Sequence, residues 1–434
     1  MLDLHAAALH IFQHALSAVD ARTATRNALE LHGTLLRIKD SQFDLATSSL
    51  YVVGIGKAAI SMSLGVNDVL GEQVSAAIVS SIPSSTHSLP DTYRLYAGGH
   101  PLPNQHSLDA AEAAFQLLDR ANKERAVVLF LVSGGGSAML EKPVTDEITL
   151  ADLQEANRQL VTCGATIGEV NAVRRTISAV KGGGLLRRAP DAQVVTLIVS
   201  DTNPGEERNV ASGPTLNPPD DLLAAKDVVE KYGLAARLPS SVVSGIQANK
   251  SFTRSDRDSA AATYVLLDND VAMRAAAEKA FDLGFSTVID SEIHEQPVEE
   301  GSELLLARAG QISNLPSCLI SGGEFGCRVR GNGRGGRNLE TVLRCAIKLS
   351  EERSDIHTVV LSVGTDGVDG SSSAAGAIAD EGTIAKANSS GLNAVEFLEN
   401  SDSHSFFEQL GALVFTGPTG TNVRDLRIVL RQRP

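Results

Sequence analysis

Cys318-Leu319-Ile320-Ser321-Gly322-Gly323-Glu324 runs an apolar segment straight into glycines, and Leu131-Val132-Ser133-Gly134-Gly135 does the same earlier in the chain. A short run that is apolar throughout and stops at glycine reads as a strand buried on both faces, followed by a loop. Working outward, similar runs predict strands over 51–53, 77–79, 127–132, 194–199, 264–267, 287–289, 318–320, 359–363, 413–415 and 428–430. Helical spacing predicts helices between them over 107–120, 150–161, 170–180, 271–283 and 339–349. Such alternation predicts an α/β protein with two Rossmann-like α/β domains and mainly parallel sheets. The Ser-Gly-Gly echo has no fixed period, so it is one loop solution used twice rather than a repeat array. Ligands bind outside the carboxyl ends of strands in open α/β sheets, so the loops after the strands carry the chemistry.

The chain has 434 residues, enough for two domains. The polar, weakly patterned stretch 247–259 is read as the boundary, giving domains 1–247 and 260–434. A net charge of -14 argues against a nucleic-acid surface or a basic membrane-binding face. Cys163, Cys318, Cys327 and Cys345 form no C-x-x-C pair, so they read as reduced thiols rather than a zinc site. The N-terminus carries an acid and no basic region, with Leu4, Ala8, Leu9, Phe12, Leu16 and Val19 at helical spacing. It reads as an amphipathic helix, and the protein as cytoplasmic with no membrane partner.

Seven stretches stand out. Gly54-Ile55-Gly56-Lys57-Ala58-Ala59 matches G-x-G-x-x-A, a form of the dinucleotide fingerprint. That fingerprint expects an acid at the end of the next strand, where this chain reads Val79-Ser80-Ser81. Lys57, at a helix start, is better suited to neutralise a phosphoryl group. Ser133-Gly134-Gly135-Gly136-Ser137 offers a nest of N–H donors for phosphate or carboxylate. It is neither a Walker A loop nor a nucleophile elbow. Asn171 to Gly184 reads as a glycine-capped helix carrying Arg174, Arg175 and Lys181, either solvated or ligand-facing. Ser200-Asp201-Thr202-Asn203 and Gly364-Thr365-Asp366-Gly367-Val368-Asp369-Gly370 present carboxylates suited to Mg²⁺. Gly331-Asn332-Gly333-Arg334-Gly335-Gly336-Arg337-Asn338 adds arginines that can fork onto phosphate or carboxylate oxygens, and Thr416 to Asn422 is a small-residue turn. Glycine-rich anion loops, a lysine, arginines and paired aspartates suit phosphoryl transfer.

These motifs resemble the class II glycerate 2-kinases, whose C-terminal half is the MOFRL domain. Gly99-His100-Pro101, Ala211-Ser212-Gly213-Pro214-Thr215 and Thr416-Gly417-Pro418-Thr419-Gly420-Thr421-Asn422-Val423 extend the match to nearly the whole chain. The resemblance implies ATP- and Mg²⁺-dependent phosphorylation of D-glycerate at its 2-hydroxyl, in a cleft between the domains. It implies Lys57 and Arg337 as catalytic residues and Asp201 and Asp366 as metal ligands. Substrate and nucleotide are expected on Gly54, Gly56, Ser133, Gly134, Gly135, Gly136, Ser137, Arg174, Lys181, Glu324, Gly335, Gly336 and Asn338. The chain departs from the family's pattern at Gly205 and Ser373, where relatives often carry an acid. A second reading is an NAD(P)H-dependent hydroxypyruvate reductase using the Gly54-x-Gly56-x-x-Ala59 loop. A third is a metabolite sensor without turnover. No nucleic acid or membrane is expected as a partner, and a homodimer is left open.

Overall fold

The computed structural model describes residues 2–83, 88–217, 224–248, 261–352 and 354–434. These form two compact units, Ala21–Leu267 on one side and Met1–Asp20 with Asp268–Pro434 on the other. The division therefore differs from the expected split into 1–247 and 260–434. The strand Ala262–Leu267 follows the expected boundary yet pairs in parallel with Gln193–Val199 of the first unit. Conversely, the helix Leu4–Ala18 buries Leu4, Ala8, Ile11, Phe12 and Ala15 in one cluster with Met273, Ile320, Leu361 and Ile428 of the second unit. Apolar burial, not covalent order, decides where each element belongs. Most of the boundary stretch, from residue 249 onward, lies outside the described residues.

The Ala21–Leu267 unit opens with a small antiparallel sheet, β1 (Leu29–His32), β2 (Leu35–Ile38) and β3 (Ser41–Asp44). Its larger sheet is made of β4 (Leu50–Ile55), β5 (Val74–Ser81), β6 (Tyr93–Ala97), β7 (Val127–Ser133), β8 (Gln193–Val199) and β9 (Ala262–Leu267), in the order β6-β5-β4-β7-β8-β9. All its pairings are parallel. Every residue of β4 and β7 is buried, as strands covered on both faces must be. The helix Gln105–Glu124 covers one face with Ala110, Ala111, Ala114, Leu118 and Ala121 packed toward Tyr51, Val53 and Phe130. Its start is fixed by a capping box between Asn104 and Ser107.

The second unit is built on β10 (Ser286–Ile289), β11 (Ser317–Ser321), β12 (His357–Gly364), β13 (Gly376–Asp380), β14 (Leu413–Val414) and β15 (Asp425–Gln432), in the order β10-β11-β15-β12-β13-β14. Here the expectation of mainly parallel sheets is corrected: β10 and β11 are parallel, and the remaining four pairings are antiparallel. The cause is the insertion of the last strand, β15, between β11 and β12. It is buried almost throughout, and its apolar centre, 428–430, reads the same whichever way the strand points. The insertion matters for the site. The amino end of β15 comes to lie beside the carboxyl ends of β11 and β12, through the pairs Ser321 with Arg427 and Gly364 with Asp425.

Candidate active site

In the Ala21–Leu267 unit, β4 ends at Ile55 and the chain turns through Gly56, Lys57 and Ala58 into the helix Ala59–Leu70. Gly56 has φ of +110°, and a Cβ on it would lie 2.3 Å from the Ser133 carbonyl oxygen, so only glycine fits. Lys57 N donates to Gly134 O at 2.9 Å, and Ala58 N donates to Ser133 Oγ at 3.0 Å. Ser133 Oγ in turn donates to Ile55 O at 3.2 Å, so this hydroxyl knits the β4 and β7 loops together. A Cβ on Gly135 would sit 3.2 Å from Lys57 Cγ and 3.1 Å from His100 Cδ2. Lys57 and His100 therefore flank the glycine turn after β7. Ser137 Oγ lies 2.9 Å from Ser212 Oγ, which donates to Asn171 Oδ1 at 3.0 Å.

Ala211 and Ser212 are both left-handed, with φ of 50° and 61°. Each such residue costs on the order of 1–3 kcal/mol, and such strain gathers at functional sites.

The helix expected over 171–184 instead ends at Thr176. Beyond it the backbone bonds to 142–144, through Val144 N to Ile177 O and Ala179 N to Lys142 O. Its basic residues turn inward rather than into solvent. Lys181 is buried and ion-paired with Glu141, whose other oxygen accepts from Ser178 Oγ at 2.5 Å. Burial pulls the Lys181 ammonium below its ordinary pKa, with Glu141 opposing. Arg174 Nε donates to Asn157 Oδ1 at 2.8 Å, and burial lowers its pKa too. Asp201 is half-buried at the carboxyl end of β8.

In the second unit, β11 ends at Ser321, and Gly323 N donates to Asn269 Oδ1 at 2.9 Å. A Cβ on Gly322 would lie 1.6 Å from that oxygen. Asn269 Nδ2 donates to Val423 O and Asp425 O, so one amide fastens the β11 loop to the entry of β15. The helix Arg337–Glu351 starts at Gly336, which has no side chain to cap it. Asp369 does so from the loop after β12: Oδ1 accepts from Asn338 N at 3.1 Å, and Oδ2 from Leu339 N at 2.8 Å. Gly336 makes room for this, since a Cβ there would fall 2.4 Å from Asp369 Cγ. Gly335 N donates to Ser371 Oγ at 3.1 Å, and Asn338 Oδ1 accepts from Ser362 Oγ at 2.6 Å.

Arg337 is the first residue of that helix. Its Nε and Nη2 fork onto Asp425 at 2.6 and 3.1 Å, and Nη2 also meets Glu324 Oε1 at 2.9 Å. Burial alone would lower its pKa, but Asp425 and Glu324 outweigh this and hold it above the ordinary arginine value. Burial, reinforced by Asp425, pushes Asp369 up to about 7 against the pull of the Leu339 and Asn338 amides. Arg427 is buried, with its guanidinium 3.8 Å from the centre of the Phe325 ring and Nε donating to Ser321 Oγ. Burial brings it down to about 10, with Asp425 opposing. A Cβ on Gly364 would lie 3.2 Å from Asp366 Oδ1 and 3.6 Å from Asp425 Oδ1, so these two carboxylates flank Gly364.

A domain of unknown function (DUF4147) matches residues 7–247, and the MOFRL family matches residues 317–425. The chain belongs to the MOFRL family. Among its relatives is the glycerate 2-kinase of Pyrococcus horikoshii, 30% identical over 99% of this chain and 98% of that one. A crystal structure of the glycerate kinase of Thermotoga maritima superposes with a TM-score of 0.81, at 30% identity, covering 98% of this chain and 99% of that one. Another relative, from Agrobacterium vitis, is provisionally named a hydroxypyruvate reductase and is 34% identical over 87% of this chain and 86% of its own.

Within this MOFRL-family fold, two groups of sequence-predicted residues gather, one in each unit. Gly54, Gly56, Lys57 and Ser133 to Ser137 share the carboxyl ends of β4 and β7. Glu324, Gly335, Gly336, Arg337, Asn338 and Asp366 share the ends of β11 and β12. Arg174 and Lys181 belong to a buried network around Asn157 and Glu141 instead. Asp425 was missed, although it stands just past the Thr416–Val423 motif, because a lone acid opening an apolar strand carries no signal of its own. Asp369 was noted only as half of an aspartate pair. Its capping role depends on Gly336, far away in sequence.

Proposed function

We propose that this chain transfers the γ-phosphoryl group of ATP to the 2-hydroxyl of D-glycerate, giving 2-phosphoglycerate and ADP. The hydroxyl oxygen bonds to the γ-phosphorus, the bond from phosphorus to the ADP oxygen breaks, and the hydroxyl proton leaves to a base. The observation that carries this reading is the placement of Lys57 against the Ser133–Ser137 turn. There the Lys57 side chain lies against Gly135, with Lys57 Cγ 3.2 Å from where a Cβ on that glycine would sit, at the carboxyl end of a parallel sheet. In that role Lys57 and the glycine turn hold phosphoryl oxygens, and Arg337 neutralises charge on the transferring group and orients glycerate.

Mg²⁺ normally takes one or two carboxylates together with phosphate oxygens. No group of three or more His, Cys, Asp or Glu side chains that could hold a metal ion is found among the described residues. Asp366, which flanks Gly364 together with Asp425, is a carboxylate that would hold it, and the ion would supply charge neutralisation on the phosphates. No helix among the described residues is long and apolar enough to cross a membrane.

The reductase reading asks for an acid after β5 to hold a ribose. Ser80 and Ser81 stand there instead, their hydroxyls donating to Met139 O at 2.5 Å and Gly56 O at 2.7 Å. Lys57→Ala tests the kinase reading. Alanine keeps the backbone amide that donates to Gly134 O, so the loop is expected to hold and stability to stay near wild type. Turnover should fall about 10²–10³-fold, as for removal of a preorganised charge-stabilising group. Near-normal turnover would remove Lys57 from the mechanism.

A further inference from the structure

Arg337 sits between two carboxylates of unlike exposure. The Asp425 side chain is 1% exposed and the Glu324 side chain 36%, against 34% for Arg337 itself. An exposed carboxylate can exchange its cation for water or for an incoming anion, whereas a buried one cannot do so without a large desolvation cost. Asp425 is fixed by its own backbone as well. Its N donates to Gly323 O at 3.2 Å, its carbonyl accepts from Asn269 Nδ2 at 3.0 Å, and it pairs with Gly364 of β12. A two-point fork from so rigid a carboxylate defines the plane of a guanidinium, not merely its position. Arg337 is held from its other side as well, because the Asp369 cap on Asn338 and Leu339 fixes the helix start on which it stands.

We propose that Asp425 is a positioning residue for phosphoryl transfer: it holds the Arg337 guanidinium in a single orientation, with its outer part turned toward the exposed Glu324 side, where substrate oxygens would meet it. This rests on the kinase reading for its consequence but not for its geometry. Asp425 acts through Arg337 and touches no substrate. Asparagine at 425 keeps the shape and one acceptor while giving up the charge and half of the fork. The guanidinium is then free to tilt, and a misplacement of about 1 Å in a catalytic group costs on the order of 10²-fold in rate.

The test is a kinetic cycle on the full chain with Asp425→Asn, Arg337→Lys and the double variant, assayed with ATP, Mg²⁺ and D-glycerate. Asp425→Asn is expected to lower kcat about 10²-fold with KM moved less than about threefold, the mark of an interaction made in the transition state. In the Arg337→Lys background, where no fork exists, the same change should cost less than about threefold more, since residues acting as a unit are non-additive. An unchanged kcat, or an equal loss in both backgrounds, overturns the proposal. A second measurement does not depend on turnover. With ¹⁵N-labelled arginine, and Arg337→Lys to assign the resonance, the Arg337 Nε proton should exchange at least about tenfold faster in Asp425→Asn than in the wild type, as for a lost local hydrogen bond. Equal exchange overturns the inference. A wild-type chain that forms no phosphoglycerate overturns the kinase reading alone and leaves the exchange result to decide on Asp425.

Discussion

Gly336→Ala is the most informative single change in the second unit, because its effect can be worked out from one contact. Gly336 has φ of −168°, an extended conformation open to any residue, so the added methyl rather than the backbone is what matters. That methyl would sit 2.4 Å from Asp369 Cγ and Oδ1 and 2.5 Å from the Asp369 carbonyl carbon. Either the carboxylate or the whole 369–371 turn must give way. Losing the cap costs about 0.5–2 kcal/mol. Forcing an extra carbon into a packed site costs about 1–3 kcal/mol. The two together predict a loss of about 1.5–5 kcal/mol in the stability of the Arg337–Glu351 helix and its surroundings. Amide hydrogen exchange over 337–351 reads this locally, without assuming that both units unfold together. Gly310→Ala is the control: nothing lies within 4 Å of its new Cβ inside the helix Val298–Gln311, so it should stabilise slightly. Turnover of Gly336→Ala should fall too, since Arg337 is the next residue. Wild-type protection over 337–351 in Gly336→Ala would refute the view that Asp369 caps this helix.

Further outcomes follow from the buried charges. Lys181→Met leaves Glu141 buried without its cation and should cost about 3–5 kcal/mol by urea unfolding, whereas Lys181→Met with Glu141→Leu should recover most of it. Asp369, raised to about 7 chiefly by burial, favours its protonated form in the folded state. Its contribution to stability is therefore fully present below its ordinary value near 3.8 and is lost as pH rises through about 7. Thermal midpoints of the wild type, measured relative to Asp369→Asn, should fall between pH 4 and pH 7; a flat difference would contradict the shift. Lys57→Ala should lose turnover while keeping its unfolding midpoint, as assayed by ADP release.

Much of the first unit was legible because β4, β7 and β8 are buried on both faces, and burial forces apolar runs, which for β4 and β7 end visibly at glycine. The loops after them, Gly54 to Ala59 and Ser133 to Ser137, were readable for the same reason: close backbone approach admits only glycine at Gly56. The β1–β3 sheet was not legible, because β2 alternates exposed and buried residues and offers no apolar run. Strand direction in the second sheet was hidden, since the apolar centre of β15, 428–430, reads the same in either direction. The inward turn of Lys181 was hidden as well. Its partner Glu141 lies in a different loop, and helical spacing in 170–180 gave no warning that the chain leaves the helix at Thr176. Asp425 shows the same limit: its meaning comes from Arg337, which stands 88 residues away.

Phosphoryl transfer to the 2-hydroxyl can be read by ³¹P NMR of the purified chain with ATP, Mg²⁺ and D-glycerate. A 2-phosphoglycerate resonance growing in step with ADP is expected. A 3-phosphoglycerate resonance would contradict the assignment of the 2-hydroxyl, and the absence of any phosphorylated product would contradict the kinase reading itself.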